Sequence, residues 1–293
     1  MSGWQAIIDA CWPAERCLVA GPWTLRVSPG AGGRVNAISG DASDAIALAE
    51  AAARGQGQVP SFVVFPGQDA LDAALAARGY RVADRVRLWT GEAAALAGDP
   101  LPYATAFDLW PPLAIMRDIW AEGGHVGPAR QAVMARAARP RAILARIDDR
   151  AAGCAFAAAH GDTAMLSAVE VLARFRRRGA AGLMLRAAAH WAASAGCARL
   201  ALVAGYDNDA ANAAYGDTAM LSAVEVLARF RRRGAAGLML RAAAHWAASA
   251  GCARLALVAA ADNAPANAAY ARHGMREAAG YHYRRAPDPS ETP

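Results

Sequence analysis

The chain has 293 residues, 56% hydrophobic and 19% charged, enough for one large domain or two ordinary ones with buried cores. All 31 basic residues are arginine, and the absence of lysine excludes a phosphate-loop lysine, a pyridoxal Schiff base and a serine–lysine nucleophile pair. The formal charge of +6 raises the question of an acidic partner, either nucleic acid or a coenzyme phosphate.

Cys11, Cys17, Cys154, Cys197 and Cys252 lack the spacing of a zinc site or a disulfide framework and read as reduced, buried thiols. The opening MSGWQAIIDACWP has no basic segment followed by an apolar run, and no stretch of about 20 uncharged apolar residues occurs later. The expectation is a soluble, unprocessed cytoplasmic protein without a membrane partner or a metal. The 82 alanines point to helices held by close packing and high propensity.

In chain order, the first 90 residues predict a strand pair around CLVAGPWTLRV, a strand RVNAIS and a helix ASDAIALAEAAARG. A strand SFVVF, a helix DALDAALAARGY and a strand RVADRVRLW follow. Gly30-Ala31-Gly32-Gly33 fails the dinucleotide spacing, because the sixth position is Val35, and reads as a turn. Residues 91–104, GEAAALAGDPLPYA, read as a linker. Beyond it come a strand TAFDLW, helices around PPLAIMRDIWAE and GPARQAVMARAA, and strands PRAILARI and GCAFAAAH joined at DDRAAG.

An internal repeat dominates the rest. Residues 161–215 recur as 216–270 with differences only at 205, 206, 209 and 210. Two near-identical copies are not a solenoid, whose units diverge and number three or more. Each copy reads as a strand TAMLSAVEVL, a turn ARFRRRGAAG, a helix LMLRAAAHWAASAG with a stripe of Leu183, Ala187 and Trp191, a strand ARLALVA and a helix ending NAAY. Only the second copy continues into ARHGM and a terminal hairpin. Residues 35–90 follow the order of one repeat without its basic glycine turn.

The turn carries the chemistry. Arg176, Arg177, Arg178, Gly179, Ala180, Ala181 and Gly182 sit between a strand and a helix N-terminus, and Arg231, Arg232, Arg233, Gly234, Ala235, Ala236 and Gly237 repeat them. Small residues there admit a ligand to the backbone, the helix's first N–H groups form an anion site, and arginine adds bidentate donors. The expected guest is a pyrophosphate.

RRRGAA resembles the Q/R-x-x-G-x-G/A signature of the GNAT superfamily of N-acetyltransferases, with Arg176, Gly179 and Ala181, or Arg231, Gly234 and Ala236, in the matching places. NAPANAAYARHGM resembles the family's later NxxAxxLYxxxGF segment: Asn263, Ala266, Tyr270 and Gly274 match, while Ala269 and Met275 replace its leucine and phenylalanine. The resemblance covers residues 104–293 as one domain with the 55-residue duplication inside it. Residues 1–97 are expected to be a degenerate GNAT-like region.

The resemblance implies an α/β fold with a GNAT-like mixed twisted sheet flanked by helices, and acetyl-CoA as co-substrate. It also implies direct attack by the amine of a small molecule or protein. Backbone N–H groups of the VEVL strand, including Val226 and Leu227, would polarise the thioester carbonyl. Tyr270 would protonate the departing thiolate, Glu170 or Glu225 would take the amine proton, and Asn263 would lie at the coenzyme. The acceptor pocket would form from residues 110–124 and the terminal hairpin, segments without a decisive charge.

Other readings stand beside these. RFRRR also fits nucleic acid, although removing the first copy lowers the net charge to +4. Tyr270 and Tyr215 also fit packing roles, Glu170 and Glu225 also fit an exposed edge, and His190 and His245 read as packing or solvent-facing. A single ordinary domain is assembled by leaving out any 55-residue window that starts between about residues 161 and 216, and every such assembly keeps Tyr270. Looping out that length costs about 3–4 kcal/mol. The expectation is one competent coenzyme site, with the surplus block available to pair with a second copy as a homo-oligomer; the alternative is a non-catalytic coenzyme-binding or interaction protein disabled by the duplication.

Overall fold

Apolar runs punctuated by glycine and aspartate turns pair into one long ladder. The computed structural model describes residues 3–176, 178–205, 218–221, 254–257 and 280–287. Two compact units divide the chain, one comprising residues 1–205 and 279–293 and the other residues 206–278.

The first unit begins with α1 (Gly3–Cys11), β1 (Arg16–Ala20), β2 (Trp23–Val27), β3 (Ile38–Ser39) and α2 (Ile46–Gly55). It continues through β4 (Ser61–Val64), α3 (Asp69–Ala77), β5 (Arg81–Glu92) and α4 (Ala93–Ala97). Then follow β6 (Ala106–Leu109), α5 (Ala114–Glu122), α6 (Pro128–Arg136), β7 (Pro140–Ile147), β8 (Arg150–His160), β9 (Thr163–Val171), α7 (Ala180–Ser194) and β10 (Arg199–Gly205). The second unit contains β11 (Thr218–Leu221) and β12 (Arg254–Leu257), and β13 (Gly280–Arg285) belongs again to the first.

The first unit's eleven strands run in the order β1-β2-β3-β4-β13-β5-β10-β9-β8-β7-β6. From each edge the pattern is the same: antiparallel neighbours, one parallel pair (β3 with β4, β9 with β10), then an antiparallel partner. The N-terminal strands therefore repeat this order of pairings, with a two-residue β3 and no basic glycine turn before α2. The two halves share their centre, because β5 from the first lies against β10 and β13 from the chain's end lies between β4 and β5.

Three expectations need correction. Residues 91–104 are not a free linker at their start: β5 runs on to Glu92, Ala93 N–H donates to Ala198 O, and Ala93 and Ala97 are buried. The terminal segment is not a hairpin, since both edges of β13 are taken by β4 and β5. Cys17 is exposed on edge strand β1, whereas Cys11, Cys154 and Cys197 are buried free thiols and Cys252 lies outside the described residues. The helices α1 and α4 are additions to the expected order.

Trp23, Phe62 and Tyr80 meet edge-to-face in the core of the first half, with centroids 5.2 and 5.5 Å apart. Buried Arg26 on β2 grips Asp9 of α1 with two hydrogen bonds of 2.5 and 2.6 Å and reaches Ser39 Oγ and Ala37 O. Removing one partner of such a pair costs about 3–5 kcal/mol. This ties α1 to the first half, while Cys11 Sγ donates to Ala158 O on β8 and Trp12 packs edge-on against Phe156.

In the second unit, β11 and β12 form a parallel pair in which Thr218 faces Arg254 and Leu221 faces Leu257. In the first, Thr163 faces Arg199 and Leu166 faces Leu202. The two copies of the repeat therefore form the same strand pair in the same register, 55 residues apart.

Candidate functional site

The site grows from one irregularity in β9. Cys154 on β8 pairs with Glu170, and Phe156 with Ser167, so Ala168 and Val169 together stand opposite Ala155. This bulge puts Ala168 at φ 51°, a left-handed conformation that a non-glycine residue adopts at a cost of about 1 kcal/mol or more. Trp120 of α5 donates from Nε1 to Ala168 O at 2.8 Å and holds the kink. Gly153 on β8 makes room for it, since a Cβ there would lie 2.5 Å from Glu170 O.

Next to the bulge the sheet opens. β9 and β10 pair only over 163–166 and 199–202; beyond that β9 follows β8 and β10 follows β5. The unpaired backbone of two parallel strands thus lines a wedge. At its mouth a 3-10 turn (Ala173–Phe175) leads to Gly179 at φ 85°, ψ 0°, which enters α7. No side chain caps α7, and its first internal bond runs from Leu183 N–H to Gly179 O, so the N–H groups of Ala180, Ala181 and Gly182 precede the helix's own ladder. The buried face of α7 includes Met184, Ala188 and two members of the predicted stripe, Ala187 and Trp191, while its third member, Leu183, is half-buried.

Arg176 and Arg178 flank this turn. Arg176 donates from Nε to Val171 O at 3.2 Å and places Nη2 3.7 Å from Glu170 Oε1. Arg178 pairs with Asp148 at 2.7 Å beside the Phe175 ring. Arg177 lies outside the described residues. Glu170, 12% exposed, is not an edge carboxylate: it sits beneath the end of α5, where a Cβ on Gly123 would come within 2.3 Å of its Cδ. Opposite Glu170, burial and its negative charge push the Cys154 thiol well above the usual range, and Cys154 Sγ donates to Met116 O. A thiol held protonated this way is a poor nucleophile.

The first copy therefore brings together Glu170, Arg176, Arg178, Gly179, Ala180, Ala181 and Gly182. Tyr270, Glu225, Val226, Leu227, Arg231 to Gly237, Asn263, Tyr215 and His245 lie outside the described residues. His190 faces Asp99 O at 3.3 Å on the outer side of α7, and no group of three or more metal-binding side chains occurs among the described residues. No described helix is long and apolar enough to cross a membrane. Sequence reasoning missed Arg34, whose Nη1 reaches Ser167 Oγ at 3.4 Å from the first half of the chain; its only local sign was the glycine turn before it.

Comparison with known proteins agrees with this geometry. The model of the acetyltransferase (GNAT) family matches residues 113–217 and again residues 215–275. Among solved structures, a GCN5-related N-acetyltransferase from Kribbella flavida is similar over 95% of this chain and 91% of its own, with a TM-score of 0.55 and 16% identity. A conserved protein of unknown function from Staphylococcus epidermidis is similar over 70% of this chain and 89% of its own, with a TM-score of 0.51 and 13% identity. No curated protein matches the chain. The wedge, the bulge and the left-handed glycine turn, together with family matches spanning more than half of the sequence, show that the chain belongs to the acetyltransferase (GNAT) family.

Proposed function

We propose that the protein is an acetyl-CoA-dependent N-acetyltransferase that moves the acetyl group to a primary amine by direct attack. The observation that carries this reading is the wedge between β9 and β10, bounded by the Ala168 bulge at one end and the Gly179 turn at the other. The donor set fits the coenzyme: exposed arginines and leading N–H groups at the turn suit a pyrophosphate, and unpaired strand backbone suits an amide-bearing arm.

Acetyl-CoA supplies the acyl group activated as a thioester. Around it the chain's groups have separate tasks. Backbone N–H groups past the bulge polarise the carbonyl, which needs no ionisable side chain. Glu170 takes the proton released as the C–N bond forms, directly or through water, and Tyr270 donates one to the sulfur as the C–S bond breaks. The protonated Cys154 leaves no thiolate beside the bulge to take the acyl group covalently, which favours direct attack.

A thiol-release assay across an amine panel tests this. Turnover that falls sharply in Glu170→Gln and Tyr270→Phe supports it. Binding of acetyl-CoA with no turnover, and no effect of either substitution, favours a non-catalytic coenzyme-binding protein.

A further inference from the structure

The acceptor's side of the wedge carries a charge that comes from the other half of the molecule. Ser167 and Glu170 flank the bulge and face the helices above it: Glu170 meets Gly123 at the end of α5, and Phe156, opposite Ser167, meets Trp12 just beyond α1. Onto this face the turn before Arg34 descends, with Gly30 at φ 73° and Gly32 at φ 92°. Arg130 of α6 pins that turn by donating from Nε to Ala31 O at 3.2 Å, and a Cβ on Gly32 would lie 2.5 Å from Arg130 Nη2.

Arg34 is thus held half-buried, its guanidinium carbon 5.7 Å from the Trp12 ring centroid and its Nη1 3.4 Å from Ser167 Oγ. No carboxylate lies within 4 Å of it among the described residues. Beyond it is a narrow cleft walled by Gln5, Tyr281, Tyr283 and three aliphatic side chains. Burial raises both tyrosine pKa values, so both phenols stay neutral hydroxyls. A partly desolvated guanidinium without a counter-charge is costly, and its planar fork matches a carboxylate. The long contact to Ser167 is weak enough to be exchanged for one. With Arg34 on Ser167 the cleft has no room for water, so a bound carboxylate takes the place of that hydroxyl contact rather than filling the cleft.

Resting on the N-acetyltransferase reading, we propose that the acceptor is a small primary amine that also bears a carboxylate, which Arg34 binds while the amine faces Glu170. A lysine side chain within a protein lacks the carboxylate and does not use this contact.

The test is thiol-release kinetics on the full chain with matched pairs: glycine against glycinamide, L-leucine against L-leucinamide, and O-phosphoethanolamine against ethanolamine, with a lysine-containing peptide alongside. At least one amino acid is expected to exceed its amide at least tenfold in kcat/KM. Arg34→Gln should bring that ratio towards one, chiefly through KM; if it does not fold, Arg34→Lys keeps the charge but loses the fork and should lower the ratio part-way. Calorimetry with L-leucine, against the chain saturated with coenzyme A, reads the site without turnover. Equal use of acids and amides, or a preference for the phosphate or the peptide, overturns the carboxylate assignment and leaves the acetyltransferase reading intact. Arg34-dependent binding of L-leucine with no thiol release from any amine rejects the acetyltransferase reading and keeps the site. Neither binding nor turnover rejects both.

Discussion

Arg176 Nη2 stands 3.7 Å from Glu170 Oε1, so the residue expected at the coenzyme's phosphates also touches the residue expected to take the amine proton. Arg178 is held instead by Asp148, away from that carboxylate. Arg176→Ala should therefore raise the Kd for acetyl-CoA about tenfold or more, as loss of a charge-assisted contact of about 1.5–3 kcal/mol implies, and should also lower kcat. Arg178→Ala should raise Kd similarly and leave kcat near its starting value. Both arginines are exposed, so neither change should move Tm by more than a degree or two, in keeping with the small worth of surface pairs. Calorimetry and steady-state kinetics separate the two outcomes, and equal effects on kcat would sink the distinction.

Gly123 closes α5 over Glu170. Its φ of −68° is accessible to any residue, so Gly123→Ala acts only through space: the new Cβ falls 2.3 Å from Glu170 Cδ and must push that carboxylate aside. The end of a flexible side chain yields readily, so the fold should survive with little change in Tm. A displacement of about 1 Å in a reacting group can cost on the order of a hundredfold in rate. A kcat reduced at least tenfold at unchanged acetyl-CoA affinity is the expected result; an unchanged kcat would mean that Glu170 does not act from where it sits.

The strand, turn and helix of the repeat were legible because their signals are local: an apolar β-branched run, then a glycine that must adopt positive φ before the helix. The bulge at Ala168 was not, since nothing in TAMLSAVEVL marks the residue whose carbonyl turns towards Trp120, 48 residues earlier in the chain. Arg34 was illegible for a similar reason, as its position at Ser167 depends on pairing between halves 133 residues apart. The hairpin expectation failed where the two halves exchange central strands, a topology that alternation along β13 does not encode.

β13 is secured by charge as well as by its ladder. Asp72 of α3 accepts from Arg284 Nε and Nη2 at 2.7 and 2.9 Å and lies 2.7 Å from His282 Nε2. The Arg284 hydrogen bonds, with help from His282, lower the Asp72 pKa to about 2. A depressed carboxylate contributes stability above its unfolded pKa of about 3.9 and loses it as pH falls towards the folded value. About 1–2 kcal/mol should disappear between roughly pH 5 and pH 2. Asp72→Asn should be less stable than the parent at pH 7 and converge with it near pH 2 in urea melts. A constant gap across that range would show that Asp72 acts through packing alone.

The matched registers of β9–β10 and β11–β12 bear on how many coenzyme sites the chain has. Local sequence is enough to rebuild the strand pair, but the bulge in β9 is defined against β8, and among the described residues β11 pairs with β12 alone. We expect one working coenzyme site, shaped by the pairing of β9 with β8. Deleting residues 216–270 joins Tyr215 to Ala271 and restores a continuous NAAYARHGM segment after the first copy. The shortened chain should keep the pairing of β9 with β8 and β10, bind one acetyl-CoA with an affinity within about threefold of the full chain, and melt in a single cooperative transition. The full chain should also bind one equivalent. Two equivalent sites in the full chain, falling to one on deletion, would show instead that the second copy completes a working site with its own sequence.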